Sequence, residues 1–569
     1  MKNAEVSRIF GNIATILEIL GENSFRIRAY ERAAQTIGGL SEDIEEIAQN
    51  ERLSEIPGIG HDLSGLIKEY LKTDKIKLYD ELKKKVPEGL LTLLDIPSVG
   101  PKTAKLLYEK FKIKNIPVLE KAIKQGKLKQ AFGFKDKTIA NIQKGIEIFK
   151  KSRAVMTLAG AELLARVFIA PLKKERAVKK IIAAGSLRRC KETVRDIDIL
   201  AVSSKPAEVM EAFCSLPEVA DITAKGATKA SVRAKDGTQI DCRVVEQKSF
   251  GASLVYFTGS KDFNIKLRGL AIKKGLKINE YGVFRKDKYI SGATEEEVFA
   301  ALGLPFIEPE LRENTGEIEL ACKSKLPRLL QLKDIKGDLH THSTWTDGDN
   351  TIAEMAEAAK SLGYSYIAVT DHSQSLKVAG GLSVAKLKKK KEEIEKLNAR
   401  LKGIRVLYGT ETEIDSQGKL DYEDGVLKEF DIVVAAVHSG FKQSRQQLTG
   451  RITSACKNKY VQIIAHPTGR LWGTREAYDI DMDEIFRAAR DTNTALEINS
   501  FPKRLDLNDA NCRRAVERGV KLAVNTDSHS VEQLSAMRYG VGMARRGWVG
   551  AASVINTLPL SQLLKAIRK

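Results

Sequence analysis

Residues 337–348 read GDLHTHSTWTDG and hold two of the seven histidines in a chain of 569 residues. In an extended segment residues i and i+2 project to the same side, so His340 and His342 can grip one cation between them. Outward from this stretch the pattern repeats. Six of the seven histidines (340, 342, 372, 438, 466 and 529) lie after residue 336, at or just past strand-like runs such as YIAVTDHS, FDIVVAAVHS, QIIAHP and KLAVNTDSH. Helix-length segments separate these runs. Such alternation predicts a parallel, barrel-like α/β domain that gathers its chemistry at the C-terminal ends of the strands. Asp347, Asp371, Glu411 and Asp527 stand in similar strand-end contexts. Mixed imidazole and carboxylate ligands suit zinc, manganese or iron. A single histidine is as often a core or surface residue, but six at strand ends predict a metal cluster.

The motifs HTHSTWTDG, TDHS, GTETEI, VHS, AHP and NTDSH resemble, in type and order, those of the PHP (polymerase and histidinol phosphatase) domain, over residues 336–569. The resemblance implies a distorted TIM-like barrel with a trinuclear site. Its nine ligands would be His340, His342, Asp347, His372, Glu411, His438, His466, Asp527 and His529, none of them substituted here. The implied cofactors are three divalent ions, Mn2+ or Zn2+. Clustered cations acidify a bound water and stabilise the charge that builds on phosphorus, so phosphoester hydrolysis is the expected reaction. Arg470 and Arg504, each shortly after a strand, are candidates to clamp a phosphate, with solvated loop arginines as the alternative.

Upstream, from about residue 178, short β-branched strands alternate with helical stretches and predict an α+β domain. Its chemistry lies in GSLRRCKETVRDIDIL (185–200) and in DCRVV, which opens at Asp241. On a strand Asp196 and Asp198 face one side and Ile197 the other. Asp241 on a neighbouring strand completes a trio that hard divalent cations such as magnesium would neutralise. The turn at Gly185 and Ser186, followed by arginine, has the makings of a phosphate cradle. Together with YFTGSKDFNIKLRGLAIKKG (256–275) and INEYGVF (278–284), these residues resemble the nucleotidyltransferase palm and thumb of the bacterial and archaeal family X DNA polymerases, the DNA polymerase beta-like enzymes. That likeness implies Mg2+ on Asp196, Asp198 and Asp241, with Asp241 also helping to deprotonate the primer 3′-hydroxyl. It implies nucleotide phosphates on Gly185, Ser186 and Arg189, the sugar against Tyr256, Phe257 and Gly259, and Asn264 and Arg268 near the base pair and template.

Two related glycine turns, EIPGIGHDLSGLIKEYL (55–71) and DIPSVGPKTAKLLYEKF (95–111), open into helices whose backbone N–H groups can meet a DNA phosphate without reading sequence. They resemble that family's paired helix-hairpin-helix elements. The expected DNA contacts are Gly58, Gly60, Val99, Gly100 and Lys102, the first hairpin downstream of a gap and the second on the primer side. Two positions depart from the family pattern. Leu66 stands where members with lyase activity carry the Schiff-base lysine, and Lys68 lies about 200° further round the helix. Lys261 replaces an acid.

The expected organisation is multidomain: an all-α helix-hairpin-helix region (1–85, then fingers-like 86–152), an α+β palm (153–245), a thumb (246–315), a linker (316–335) and the PHP barrel (336–569). Charge agrees with a polyanionic partner. The net charge is +20, with 59 basic and 45 acidic groups in residues 1–335 against 35 and 29 in the rest, as nucleic-acid binding favours. Six scattered cysteines without a CxxC pair suit a reducing cytoplasm. No apolar run reaches the roughly 20 residues of a membrane span, and MKNAEVSRIFGNIATILEIL reads as an amphipathic helix rather than a secretory signal. The expected protein is a cytoplasmic, nucleoid-associated monomer that works on gapped or primer-template DNA and dNTP, filling short gaps in base excision repair, with a 3′-5′ exonuclease or abasic-site endonuclease in the barrel. A small-molecule phosphatase or a non-catalytic docking role for the barrel, and template-free transfer by the palm, stand as alternatives.

Overall fold

In Lys2–Leu20, apolar residues at positions 6, 9, 10, 13, 16 and 17 recur at helical spacing, and all six are buried. That periodicity makes the first part of the chain helical throughout. The computed structural model describes residues 2–38, 44–56, 58–86, 88–94, 96, 98–130, 134–153 and 155–568. They fall into two compact units, Met1–Arg153 with Leu471–Glu476, and Ala154–Arg470 with Ala477–Lys569.

The first unit contains the helices His61–Thr73 and Pro101–Phe111, each following one of the glycine turns. The turns share one geometry. Ile59 N donates to the Ile56 carbonyl and Val99 N to the Ile96 carbonyl, both at 3.0 Å. Gly58 and Ser98 both adopt positive φ, +80° and +77°, and Gly60 and Gly100 are the N-caps. Ser98 thus tolerates a left-handed conformation that glycine adopts at lower cost. Pro57 and Pro97 lie outside the described residues.

The second unit opens with a mixed sheet of five strands: β1 (Lys180–Ala183), β2 (Asp196–Val202), β3 (Val219–Lys225), β4 (Lys229–Ala234) and β5 (Gln239–Val245), in the order β1-β2-β5-β4-β3. Only the β2–β5 pair is parallel. Helices Phe250–Thr258 and Lys261–Lys273 follow, then a small antiparallel sheet of β6 (Lys277–Asn279), β7 (Gly282–Arg285) and β8 (Lys288–Ser291).

Seven parallel strands form the barrel in sequence order: β9 (Gly337–Thr341), β10 (Tyr366–Val369), β11 (Arg405–Glu413), β12 (Ile432–Ala436), β13 (Ile463–Ile464), β14 (Ala495–Asn499) and β15 (Leu522–Asn525). Closure comes between the end of β9 and the residues just past β15, where Asp527 N donates to the His340 carbonyl at 3.0 Å and His342 N to the Ser528 carbonyl at 2.8 Å. Alternate residues serve two apolar clusters, as a pleat requires. Tyr366, Ala368, Leu407, Val434 and Ala436 pack with Leu563 and Ile567 from the C-terminal end of the chain. Ile367, Val369, Val406, Val433 and Ala435 belong instead to the cluster that holds Met355, Ala359, Ile452 and Ile485 of the flanking helices. The expected TIM-like α/β barrel is thereby present.

Helix Met537–Arg546 of the barrel domain packs on the palm and thumb. Arg538 pairs with Glu162, Arg545 with Glu308 and Glu310, and Arg546 with Glu313. Gly542 permits the approach, since a Cβ there would lie 3.2 Å from Cys190. Among the described residues no helix is long and apolar enough to cross a membrane.

Candidate active sites

Asp196 and Asp198 alternate on β2 around Ile197, which is fully buried, and β5 places Asp241 directly beside Asp198. Burial, then the neighbouring Asp196 and Asp241, push the Asp198 carboxyl up to about 6 against the opposing charges of Arg243 and Arg189, the behaviour of acids crowded together. Such a trio asks for cations. Gly185 follows β1 with φ +61°, and a Cβ there would fall 2.3 Å from an Asp198 carboxylate oxygen. Only glycine lets this turn approach the acid.

In front of the turn opens a cavity of about 350 Å³ lined by all eight residues expected to hold the nucleotide, together with Asp196 and Asp198. Asp241 is not part of that lining; it accepts from Gln239 Nε2 at 3.1 Å. The tandem arginines separate in role. Arg188 donates to Glu295 and to the Thr258 hydroxyl, whereas Arg189 lines the cavity. Asn264 donates to the Tyr256 carbonyl at 2.7 Å, and the Tyr256 and Phe257 rings meet edge to face at 5.0 Å. Arg243 stacks on Phe257 at 4.4 Å and its charge favours ionised Asp198. Sequence reasoning passed over it, although it follows Asp241 at the spacing of one strand face.

At the C-terminal mouth of the barrel the ligand atoms form three overlapping sets, each within 4.8 Å: His342, Asp347, His372 and His529; His340, His342 and Asp527; His372, Glu411 and His438. His466 Nε2 lies 3.1 Å from Glu411. All nine expected ligands therefore converge. Burial, then the facing His529 and His372, press His342 down to about 4, and burial with Arg504 does the same to His466. Burial also opposes the His372 imidazolium, but Glu411 and Asp347 overcome it and raise the group to about 10. Several buried atoms complete no hydrogen bond: His340 Nε2, both ring nitrogens of His342, His372 Nδ1, His466 Nδ1 and Glu411 Oε2. Unsatisfied imidazole and carboxylate atoms converging in one buried site fit a set of divalent cations. Strain accompanies them, for Asp527 and His466 both have positive φ, +55° and +26°, a cost that the surrounding structure has to sustain.

Around these ligands stands a shell that the sequence reading left unassigned. Glu497 is fully buried and lies 2.8 Å from His340 Nδ1 while accepting from His466 N at 2.7 Å. Glu413 holds His438 Nδ1 at 2.8 Å. Such carboxylates fix the tautomer and orientation of a ligating imidazole. Both were accessible to strand logic, since Glu413 shares a face with Glu411 and Glu497 sits in the strand run TALEINS.

Two residues singled out in the sequence are engaged elsewhere. Asp371, grouped with the strand-end acids, is committed to Lys390 at 2.8 Å, to Ser343 N and to the Thr346 hydroxyl, and so braces the loop after β9. Arg470 is neither solvated nor turned to the cluster. Its guanidinium binds Glu192 at 2.8 Å and the carbonyls of Arg504 and Leu505 at 2.7 and 2.8 Å. Arg504 itself does reach the site, 3.4 Å from Asp527, with one buried nitrogen completing no hydrogen bond.

At the two hairpins neither Gly60 nor Gly100 offers a capping side chain, and a Cβ at either would meet open space. No side chain therefore caps the first-turn N–H groups of either helix. Leu66 is half-buried and Lys68 exposed on the first of these helices. The seventh histidine, His61, is exposed at its start.

Four segments of the chain match known domain families. Residues 1–76 match the helix-hairpin-helix domain, 90–147 the SAM-like helix-hairpin-helix tandem, 253–313 the DNA polymerase beta thumb and 338–501 the PHP domain. A nucleotidyltransferase joined to a metal-dependent hydrolase is the class these matches define. Over 567 residues, 99% of both chains, the sequence is 40% identical to the DNA polymerase/3′-5′ exonuclease PolX of Bacillus subtilis (strain 168). The chain belongs to that family, the family X DNA polymerases with a C-terminal PHP domain. Probable phosphatases of Thermoanaerobacter sp. (strain X514) and Shewanella sp. (strain ANA-3) match only part of it, at 32% and 30% identity over 39% and 40% of this chain and 89% of each relative.

Proposed function

We propose that this chain fills short gaps in DNA during base excision repair and trims primer ends as a 3′-5′ exonuclease, each activity in its own metal site. The observation that carries this reading is the coexistence, in a chain collinear with PolX, of an aspartate trio two of whose members line a nucleotide-sized cavity and a largely buried cluster of nine candidate ligands at the barrel mouth.

In the palm, Gly185, Ser186 and Arg189 receive the triphosphate and Tyr256, Phe257 and Gly259 the sugar. Asn264 and Arg268 lie toward the base pair and template. Asp196, Asp198 and Asp241 would hold magnesium, with Asp241 taking up the primer hydroxyl proton. In the barrel His340, His342, Asp347, His372, Glu411, His438, His466, Asp527 and His529 would hold three manganese or zinc ions. When bound, these cations align attacking and leaving oxygens and, in the barrel, acidify a water. Arg504 offers its unsatisfied nitrogen to the phosphate being cleaved, and Glu413 and Glu497 keep the ligating rings oriented. Gly58, Gly60, Val99, Gly100 and Lys102 hold the DNA backbone on either side of the gap.

The test is a 5′-labelled primer in a gapped duplex with manganese. Asp196→Ala should abolish extension while the primer still shortens, and His342→Ala should do the reverse. No shortening by any form would remove the exonuclease assignment. The probable phosphatases that match the barrel alone support a second reading, hydrolysis of phosphomonoesters. It gains if His342→Ala loses turnover of 4-nitrophenyl phosphate while no form cleaves DNA.

A further inference from the structure

The contact between helix Met537–Arg546 and the palm ends on a residue of the nucleotide cavity. Arg546 is buried, only 8% exposed. Its Nη1 donates to the backbone carbonyl of Arg189 at 2.8 Å and to Glu313 at 2.9 Å. Its other edge, Nε and Nη2, donates to Asp509 at 2.9 and 2.7 Å. The Glu313 oxygen that Arg546 holds is also the one that accepts from Arg189 Nε, at 3.0 Å. Arg189 Nη1 in turn donates to the Thr258 carbonyl at 2.5 Å. Arg546 therefore fixes Arg189 twice, at its backbone directly and at its guanidinium through Glu313.

Charge argues the same way. A carboxylate paired only with Arg189 would cancel the field that a triphosphate needs, and would be free to follow the arginine or pull it aside. With Arg546 sharing the same oxygen, Glu313 is held from behind and part of its charge is already matched. Asp509 anchors the far edge of Arg546, which aims Nη1 at the palm. The two other arginines of the helix end elsewhere: Arg538 on Glu162, and Arg545 on Glu308, Glu310 and the Leu330 carbonyl. None of those partners lines the nucleotide cavity.

We infer that Arg546, a residue of the hydrolase domain, is a positioning residue for nucleotide binding in the palm, acting through Glu313 and Arg189. This rests on Arg189 as the phosphate-binding arginine. The dependence would make the barrel domain a structural part of the polymerase site as well as the carrier of a second one.

The experiment is steady-state gap filling by the full-length protein, with KM and kcat for dNTP, in Arg546→Gln, Arg538→Gln, Arg189→Ala and the Arg189→Ala/Arg546→Gln double variant. Arg546→Gln should raise the KM about tenfold, the scale of one charge-assisted hydrogen bond, with kcat changed far less. Arg538→Gln breaks a similar interdomain pair and should leave the KM within about twofold. The double variant should be no worse than Arg189→Ala alone, because the two act in series. An unchanged KM in Arg546→Gln, an equal rise in Arg538→Gln, or additive effects in the double variant would each overturn the inference. If Arg189→Ala itself leaves the KM unchanged, the phosphate-binding assignment fails and the inference falls with it. Should Arg546→Gln not fold by circular dichroism, Asp509→Asn decides, since it only loosens the outer anchor: a raised KM supports the inference and an unchanged one overturns it.

Discussion

Arg312 is fully buried, and its charge is tolerated because Glu295 meets it at 2.7 Å while also binding Arg188. Burial works to raise the Glu295 carboxyl, but Arg188 and Arg312 outweigh it and hold the group below its ordinary value of 4.5. A carboxylate depressed on folding stabilises the native state above its unfolded pKa, and that contribution fades as pH falls through the folded value. Glu295→Gln should therefore cost about 3–5 kcal/mol at neutral pH, the penalty of breaking a buried ion pair from one side. In urea titrations the gap to wild type should narrow below about pH 4.5; a gap independent of pH would refute the assignment. Pairings of this kind are hard to read from sequence. Lys390 sits inside the run KKKK at 388–391, which reads as a solvated helix face, yet it is fully buried on Asp371. Nothing in its neighbours distinguishes it, because the partner that makes burial tolerable lies on another element.

At the scale of elements, the convergence of the candidate ligands was far more legible. A strand projects alternate residues to one face and a parallel barrel exposes strand ends, so the HTH, TDH and TDSH motifs announced their own geometry. The hairpins were legible for the same reason, since the turn and the helix start are local. What was lost is the second layer: Glu413 and Glu497 look like ordinary strand residues until the histidines they orient are placed beside them. The second hairpin also yields a prediction. Lys102 lies in the first turn of Pro101–Phe111 and is exposed. Lys102→Ala should weaken gapped-duplex binding uniformly across sequences, and the slope of log K against log salt should become shallower by about 1. Fluorescence anisotropy at several salt concentrations checks this, and an unaltered slope would take Lys102 off the DNA backbone.

For the whole molecule, metal should govern stability as much as activity. The barrel cluster gathers six imidazoles and three carboxylates whose unsatisfied atoms are costly without cations. Chelation should lower the melting temperature of the second unit, and manganese or zinc restored at about 100 times its dissociation constant should return about 2.7 kcal/mol. Calorimetry with and without chelator measures this; a transition indifferent to metal would mean the cluster binds none. The charged interface carries a different consequence. Glu310 and Glu313 belong to the polymerase half, while Arg545 and Arg546, which pair with them, belong to the hydrolase half; Glu313 is shared with Arg189 of its own half. A fragment cut within residues 316–335 would strip Glu310 of Arg545 and leave Glu313 to Arg189 alone, and would expose the apolar bed around Cys190. The two halves are thus not separable modules on a string, and a gene fission that parted them would have to reinvent the seam before either product could work alone.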